Sequence, residues 1–356
     1  MRGPTIARVA AEAGVGVGTV SRVLNGSPSV SEDTRRRVLE AIATLDYQPS
    51  AVARALSTGR THAIGVVAPF FTQPSVIERL RGISPALAAS DYQLVLFDVE
   101  RTGQRRETFR SLAVRGRVDG VLSISLAPTE HEAARLEAAG TPIVLVDRAH
   151  DTLPAVTIDD VDGGRLAAEH LLGLGHRAIG FVGDDEDNPF GFDSSARRRM
   201  GFEAALAAAD VPLRQDWSMR GPHGREAGRV SGAALFARDE RPTAIFASSD
   251  VQAIGVLEAA RAADVSVPAE LSVIGFDDIE AAAYAGLTTI TQSLEESGAL
   301  GAALLLRAMA GEPAEGHRLP LAVVERRTTA PWIARSREGG KGLDQNRSAD
   351  HDGGGT

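Results

Sequence analysis

The chain has 356 residues, enough for two or three domains, and its 43% hydrophobic content can fill sizeable cores. It has no cysteine, which excludes a disulfide framework and thiolate metal ligation. The net charge of −9 is unevenly spread: residues 1–60 hold eight Arg, no Lys and five acids, or +3, which leaves −12 for the rest, so only the amino-terminal end is suited to meet phosphate.

Residues 5–25, TIARVAAEAGVGVGTVSRVLN, predict two short helices joined by a tight turn. Ile6, Val9, Ala10 and Ala13 recur at helical spacing, with Thr5 placed to cap the start. Gly14 suits the left-handed conformation that ends a helix. Val20, Val23 and Leu24 make a second apolar set, while Thr19, Ser21, Arg22 and Asn25 can donate to phosphates or base edges. That is helix-turn-helix geometry, whose second helix enters the DNA major groove. A third helix follows, capped by Ser31 and opened by Glu32 and Asp33, with Val38, Leu39, Ile42 and Leu45 as its apolar face. Its Arg35, Arg36 and Arg37 read equally as a solvated face or as phosphate contacts. Residues 50–56 form a helical pattern of about two turns, too short to stand alone in water. Leu56 near its end is either a packing contact or an apolar wedge for a minor-groove base step.

From His62 the texture changes to strand–helix alternation. Strands are expected at 63–68, 93–98, 118–124, 142–147, 178–183, 217–220, 243–247 and 271–276. Helices are expected at 75–89, 103–115, 130–139, 163–174, 195–209, 225–236 and 250–263. This predicts an α/β body of two doubly wound, parallel-sheet subdomains behind the all-α head. Strand-like 288–294 and 320–327, around a helix at 295–310, are expected to cross back between the subdomains. The expected domains are a head over 1–49, a hinge helix over 50–60, a two-lobed domain over 61–333 and a disordered tail over 334–356. The tail lacks leucine heptads, so no coiled-coil element is expected.

Doubly wound sheets bind ligands beyond the carboxyl ends of their strands. Polar and aromatic residues fall there after the first (70–75), third (Ser125) and fourth (Asp147, Arg148) strands. Asp184, Asp250, Asp277 and Asp278 take the same places in the second series, and Ser195–Gly201 opens a helix beside them. Carboxylates and an arginine facing one cleft suit a polyhydroxylated ligand. Phe70, Phe71, Phe190 and Phe192 would let a purine stack. The plainer reading of each acid is a helix cap. Gly14-Val-Gly16-Val-Gly18 follows no strand and lacks dinucleotide-binding spacing. His170 and His176, six apart, do not share a helical face, so packing is expected rather than metal binding. With no nucleophile–base pair and no metal-ligand spacing, neither an enzyme nor a cofactor carrier is expected.

The motifs TIARVAAEAGVGVGTVSRVLNGSPSVSEDTRRRVLEAI, YQPSAVARALSTGRT, IDDVDGGRLAAEHLLGLGHRAIGFVG, PTAIFASSDVQAIGVLEAA, VPAELSVIGFDDI and LTTITQ occur in one order. Together they closely resemble the LacI/GalR family of transcriptional regulators, up to about residue 333. The resemblance implies a helix-turn-helix head on a periplasmic-binding-protein-like effector domain, acting as a homodimer on a pseudo-palindromic operator. It implies DNA contacts by Thr5, Thr19, Ser21, Arg22 and Asn25, and by Ala53 and Leu56 in the minor groove. Val17 and Gly18 match the positions that vary with operator sequence. A valine can touch a thymine methyl, a glycine has no side chain, and Gly16 replaces a common serine cap, so readout is expected to rest on Arg22, backbone contacts and DNA shape. For the effector the resemblance implies Arg198 (with Arg197 second), Asp277, Ser249, Asp250 and His223, and the strand-end positions add Phe71, Ser125 and Asp147.

The leading expectation is a ligand-responsive repressor sensing a sugar or sugar derivative, with a purine second. A solute-binding protein serving a transporter would share the body, but an exported protein would carry a leader where this chain has a DNA-binding head. No apolar stretch reaches the roughly 18 residues of a membrane span, and the expected location is the cytoplasm.

Overall fold

The computed structural model describes residues 4–47 and 60–333. Ala53, Leu56 and the tail 334–356 lie outside the described residues.

The head is three helices: α1 (Ile6–Glu12), α2 (Val17–Leu24) and α3 (Glu32–Thr44). They close on a core of Val9, Ala10, Ala13, Val20, Val23, Val38, Ala41 and Tyr47. Gly14, at φ +64°, makes the turn between α1 and α2. Ser31 caps α3 by accepting from the Thr34 amide. Two expectations need correction. Thr5 stands at the N-cap of α1, but its hydroxyl makes no capping bond. Leu39 is 52% exposed, because α3 buries Val38 and Ala41 and turns the intervening side chain outward. Within the head, Arg35 donates to the Ser27 carbonyl at 2.8 Å, and Arg36 and Arg37 pair with Asp33.

Two six-stranded sheets form the body. The first has the order β11-β5-β4-β3-β1-β2, all parallel: β1 (Ala63–Pro69), β2 (Gln93–Val99), β3 (Gly120–Ile124), β4 (Ile143–Val146), β5 (Ala155–Thr157) and β11 (His317–Arg318). The second runs β12-β10-β9-β8-β6-β7, from β6 (Ile179–Asp184), β7 (Ser218–Gly221), β8 (Ala244–Ala247), β9 (Ser272–Asp277), β10 (Thr288–Thr291) and β12 (Ala322–Val324). In it only β12 is antiparallel to its neighbour. Strands β3, β4, β8 and β9 are buried along their whole length, as expected of parallel strands covered on both faces.

The first lobe carries α4 (Pro74–Ala88), α5 (Thr102–Leu112), α6 (Glu130–Ala139) and, returning late in the chain, α12 (Leu294–Met309). The second carries α7 (Asp160–Gly173), α8 (Ser194–Ala208), α9 (Arg225–Phe236), α10 (Asp250–Ala262) and α11 (Glu280–Ala285). The chain passes between lobes three times: before α7, between β10 and α12, and between β11 and β12. Strands β5 and β11 have three and two residues and were not expected. Such short strands show no periodicity.

Glycines let two helix pairs meet backbone to backbone. A Cβ at Gly82 would lie 1.8 Å from the Glu295 carbonyl oxygen, and one at Gly298 would lie 2.1 Å from that of Arg79, which joins α4 to α12. In α7, a Cβ at Gly164 would lie 1.8 Å from the Arg198 carbonyl oxygen of α8. Each crossing thus fixes the backbone of an arginine that faces the space between the lobes.

Candidate functional site

Between the lobes, at the carboxyl ends of both sheets, lies a cavity of about 550 Å³. Four non-glycine residues on its wall have positive φ: Phe70 (47°), Ser125 (55°), Asp147 (74°) and Asp277 (118°). Each stands at the carboxyl end of a strand: β1, β3, β4 and β9 respectively. Such backbone conformations cost energy and gather at functional sites.

A hydrogen-bonded chain crosses the floor. Ser125 Oγ donates to Asp147 Oδ2 at 2.6 Å, and Arg79 Nη2 donates to Asp147 Oδ1 at 2.8 Å and to Gln292 Oε1 at 3.0 Å. Gln292 Nε2 donates to Asp277 Oδ1 at 2.5 Å, which also lies 3.5 Å from Arg198 Nη1. Arg198 continues into the second lobe, donating through Nε to Asp160 at 2.9 Å and through Nη1 to the Ser248 carbonyl at 2.7 Å. Its guanidinium lies 3.5 Å from the ring centroid of Phe276, a cation–π contact. Burial opposes the Arg198 charge, but Asp160, Asp277 and Asp147 outweigh it and raise its pKa. Burial pushes the Asp277 and Asp160 carboxyls above the ordinary carboxylate range, with Arg198 opposing the shift at both.

On the second lobe's wall, His223 Nδ1 lies 3.1 Å from Asp184 Oδ1. Burial works against an imidazolium there, but the Asp184 hydrogen bond and the nearby acids prevail, and the His223 pKa is raised. Gln252 Nε2 holds Asp184 at 2.8 Å, while its Oε1 accepts from Ser248 and Ser249. Ser249 also caps α10. Three rings form an aromatic wall: Phe70 meets Phe190 edge to face at 5.6 Å, and Phe190 stacks on Phe192 at 5.4 Å. Glu100, Asp184, Asp185 and Asp187 make the border acidic.

The cavity brings together Ser125, Asp147, Arg198, His223, Ser249 and Asp277. It leaves out two expected residues. Phe70, not Phe71, lines it, while Phe71 turns outward and its amide donates to Asp98. Asp250 is fully buried beneath the site, accepting from Thr289 Oγ1 at 2.6 Å and the Ile279 amide at 3.0 Å. It ties β10 and the start of α11 to α10, and burial holds its pKa well above the usual carboxylate range. Arg197 faces a separate surface groove of about 760 Å³ along α7 and α8 that none of the strained residues reaches. Sequence reading missed Arg79 and Gln292. Gln292 lay within a quoted motif and Arg79 in a helix, and neither bore a signal of its function.

In the head, Val17, Gly18, Ser21, Arg22 and Asn25 share the outward face of α2, opposite buried Val20 and Val23. Thr5 and Thr19 are partly or fully open beside it. No helix of the described residues is long and apolar enough to cross a membrane, and among them no cluster of His, Asp and Glu is arranged to hold a metal.

The family model described as bacterial regulatory proteins, lacI family, matches residues 5–50, and that of a periplasmic binding protein-like domain matches 168–329. Catabolite control protein A of Priestia megaterium is 32% identical over 331 residues, covering 91% of this chain and 99% of its own. Among solved structures, a lac repressor dimer bound to operator and the anti-inducer ONPF matches with a TM-score of 0.78 at 26% identity, covering 92% of this chain and 100% of its own. A complex of the transcriptional regulator CelR with cellobiose matches at 0.66 and 31%, covering 91% and 99%.

Proposed function

Because the chain belongs to the LacI family of bacterial regulators, and so is a ligand-responsive, DNA-binding transcriptional regulator, we propose that its cavity senses a neutral sugar or sugar derivative. One observation carries this reading. Arg198 Nη2 and Asp277 Oδ2 have no partner among the described residues, and both side chains line the cavity beside the aromatic wall. An adjacent donor and acceptor suit neighbouring hydroxyls, and the rings suit the apolar face of a pyranose. Arg79 is matched by Asp147, and Arg198 by Asp160 and Asp277, so the floor offers no surplus positive charge to a phosphate or carboxylate. The acidic border repels one. The structure of CelR with cellobiose fits the same class.

In this reading the chain is a homodimeric repressor that binds a pseudo-palindromic operator in the cytoplasm. The head spans 1–49, the hinge with Ala53 and Leu56 spans 50–60, the sensing domain spans 61–333 and the tail is 334–356. Thr5, Thr19, Ser21, Arg22 and Asn25 take the phosphates and bases. The cavity is read as a sensor: among the described residues, the side chains hydrogen-bonded to the His223 ring and the Asp184 carboxylate are each other and Gln252. The relatives offer no support for a transporter-linked solute carrier, and the match over 5–50 argues against one.

Thermal-shift measurement tests the effector class. Cellobiose, ribose, other neutral sugars, sugar phosphates and purine bases are compared on the full chain, and a neutral sugar is expected to raise the Tm. A purine base that does so while every sugar fails would shift the assignment to the phenylalanine wall. A sugar phosphate as the best binder would overturn the charge argument.

A further inference from the structure

The acidic body conceals a basic run. Residues 101–117 hold six Arg against one acid, Glu107. Arg105 is taken up within the first lobe, pairing with Glu132 at 2.8 Å. The other five, Arg101, Arg106, Arg110, Arg115 and Arg117, are exposed, and none of them forms a salt bridge among the described residues. Arg106 and Arg110 stand one turn apart on α5. Arg115 and Arg117 follow in a tight turn, where the Arg117 amide donates to the Val114 carbonyl at 3.1 Å and Gly116 takes the third position at φ +76°. Arg117 also lies over the Phe97 ring at 5.7 Å, a contact that orients the guanidinium and leaves its charge intact. The helix dipole would account for Arg110 in the last turn of α5, but not for Arg115 and Arg117 beyond its end.

The lower end of this row borders the point where the chain enters the body. Strands β1 and β3 are parallel with Ile64 opposite Gly120, so the turn at 114–117 and residues 60–62 share one edge of the first sheet. Asp119 fastens the two together. Its carboxylate accepts from the Thr61 amide at 2.8 Å, the Thr61 hydroxyl at 2.9 Å and the His62 amide at 2.9 Å. The hinge assigned to 50–60 leads from this edge toward the operator. Arginines spaced along a helix and a turn do not converge on one small anion. They suit the repeated phosphates of a duplex, each of which a guanidinium can hold with two donors. We propose that Arg110, Arg115 and Arg117 contact backbone phosphates of operator DNA, so that the first lobe bears on the duplex beside the head and hinge. This rests on the DNA-binding assignment, and departs from the expectation, drawn from net charge, that only the amino-terminal end is suited to phosphate. The contacts add affinity and position without reading sequence.

The test uses the full chain on a duplex selected in vitro from a random pool. Binding is followed by fluorescence anisotropy over a series of salt concentrations. Each phosphate contact contributes about 0.9 to the slope of log affinity against log salt. Arg110→Gln/Arg115→Gln is expected to lower that slope by about two, so that its disadvantage against wild type shrinks about tenfold between about 50 and about 200 mM salt. Arg110→Lys/Arg115→Lys keeps both charges and should retain most of the slope. Arg238→Gln/Arg241→Gln removes the same charge from the loop before β8, at the amino edge of the second sheet, and should leave the slope unchanged. The inference is overturned if Arg110→Gln/Arg115→Gln keeps the wild-type slope, if the Lys pair loses as much as the Gln pair, or if both Gln pairs lower the slope equally. It is also overturned if affinity falls by one factor at every salt concentration, which would place the arginines in hinge packing. A selection that enriches no duplex would instead remove the DNA-binding assignment beneath it. All four arginines are exposed, and unchanged helical circular dichroism verifies that the variants fold.

Discussion

Arg79 Nη2 reaches Gln292 Oε1 at 3.0 Å across 213 residues of sequence, linking α4 of the first lobe to the segment that returns from the second. The same nitrogen holds Asp147, while Arg79 Nε is buried with no partner among the described residues. A cation this enclosed persists because its removal would strand the groups around it.

Arg79→Met is therefore expected to destabilise the body by about 3 kcal/mol, since it takes the Arg79 donor from Asp147 Oδ1 and Gln292 Oε1. Chemical denaturation measures this directly. Asp147→Asn in the Arg79→Met background should recover part of the loss. No recovery would mean that the ion pair is not what Arg79 contributes.

Asp250 and Asp277 should separate stability from sensing. Asp250→Ala removes the acceptor for Thr289 and the Ile279 amide, and is expected to cost about 2 kcal/mol while leaving affinity for a stabilising sugar within a few-fold. Asp277→Asn is expected to weaken that sugar at least tenfold with a smaller fall in Tm. Calorimetric titration beside thermal melts checks both. Equal losses of affinity would place Asp250 back in the site.

The raised pKa of His223 has a definite sign in the stability profile. A group held above its unfolded value of 6.5 contributes stability that is fully present below pH 6.5 and is lost as pH rises through the folded-state pKa. Asp184→Asn removes the hydrogen-bonded carboxylate and should bring the imidazole titration, followed by NMR, back down toward or below 6.5. An unchanged midpoint would show that Asp184 does not hold the charge.

Glycine substitutions should divide by what they meet. Gly82→Ala puts a Cβ 1.8 Å from a backbone oxygen at the α4–α12 crossing, and is expected to cost about 2 kcal/mol or more by forcing the helices apart. Gly103→Ala, in α5 with no described atom within 4 Å of the added Cβ, should be neutral or stabilising by up to about 1 kcal/mol. Urea denaturation of the two variants distinguishes packing from propensity.

Local sequence was sufficient for the order and type of nearly every long element, because hydrophobic period and caps act within a turn or two of chain. It located the three head helices, the alternating strands and helices, and the strand ends where a ligand would sit. Family motifs then pointed to Arg198 and Asp277. Which neighbour faces the cavity was a different matter. Phe70 against Phe71 turned on a backbone at φ 47°, and Arg198 against Arg197 on the phase of α8 where it crosses α7. Asp250 sits at a strand's carboxyl end, as a ligand residue would, but its carboxylate is taken by Thr289 and Ile279, far along the chain. Arg79 had no local mark at all. Its role exists only because the chain returns through Gln292 and because Gly298 lets α12 touch α4 at that residue. Short-range periodicity thus determined the elements and the address of the site. The contacts that aim each side chain join residues up to 213 positions apart, and only tertiary packing brings those together.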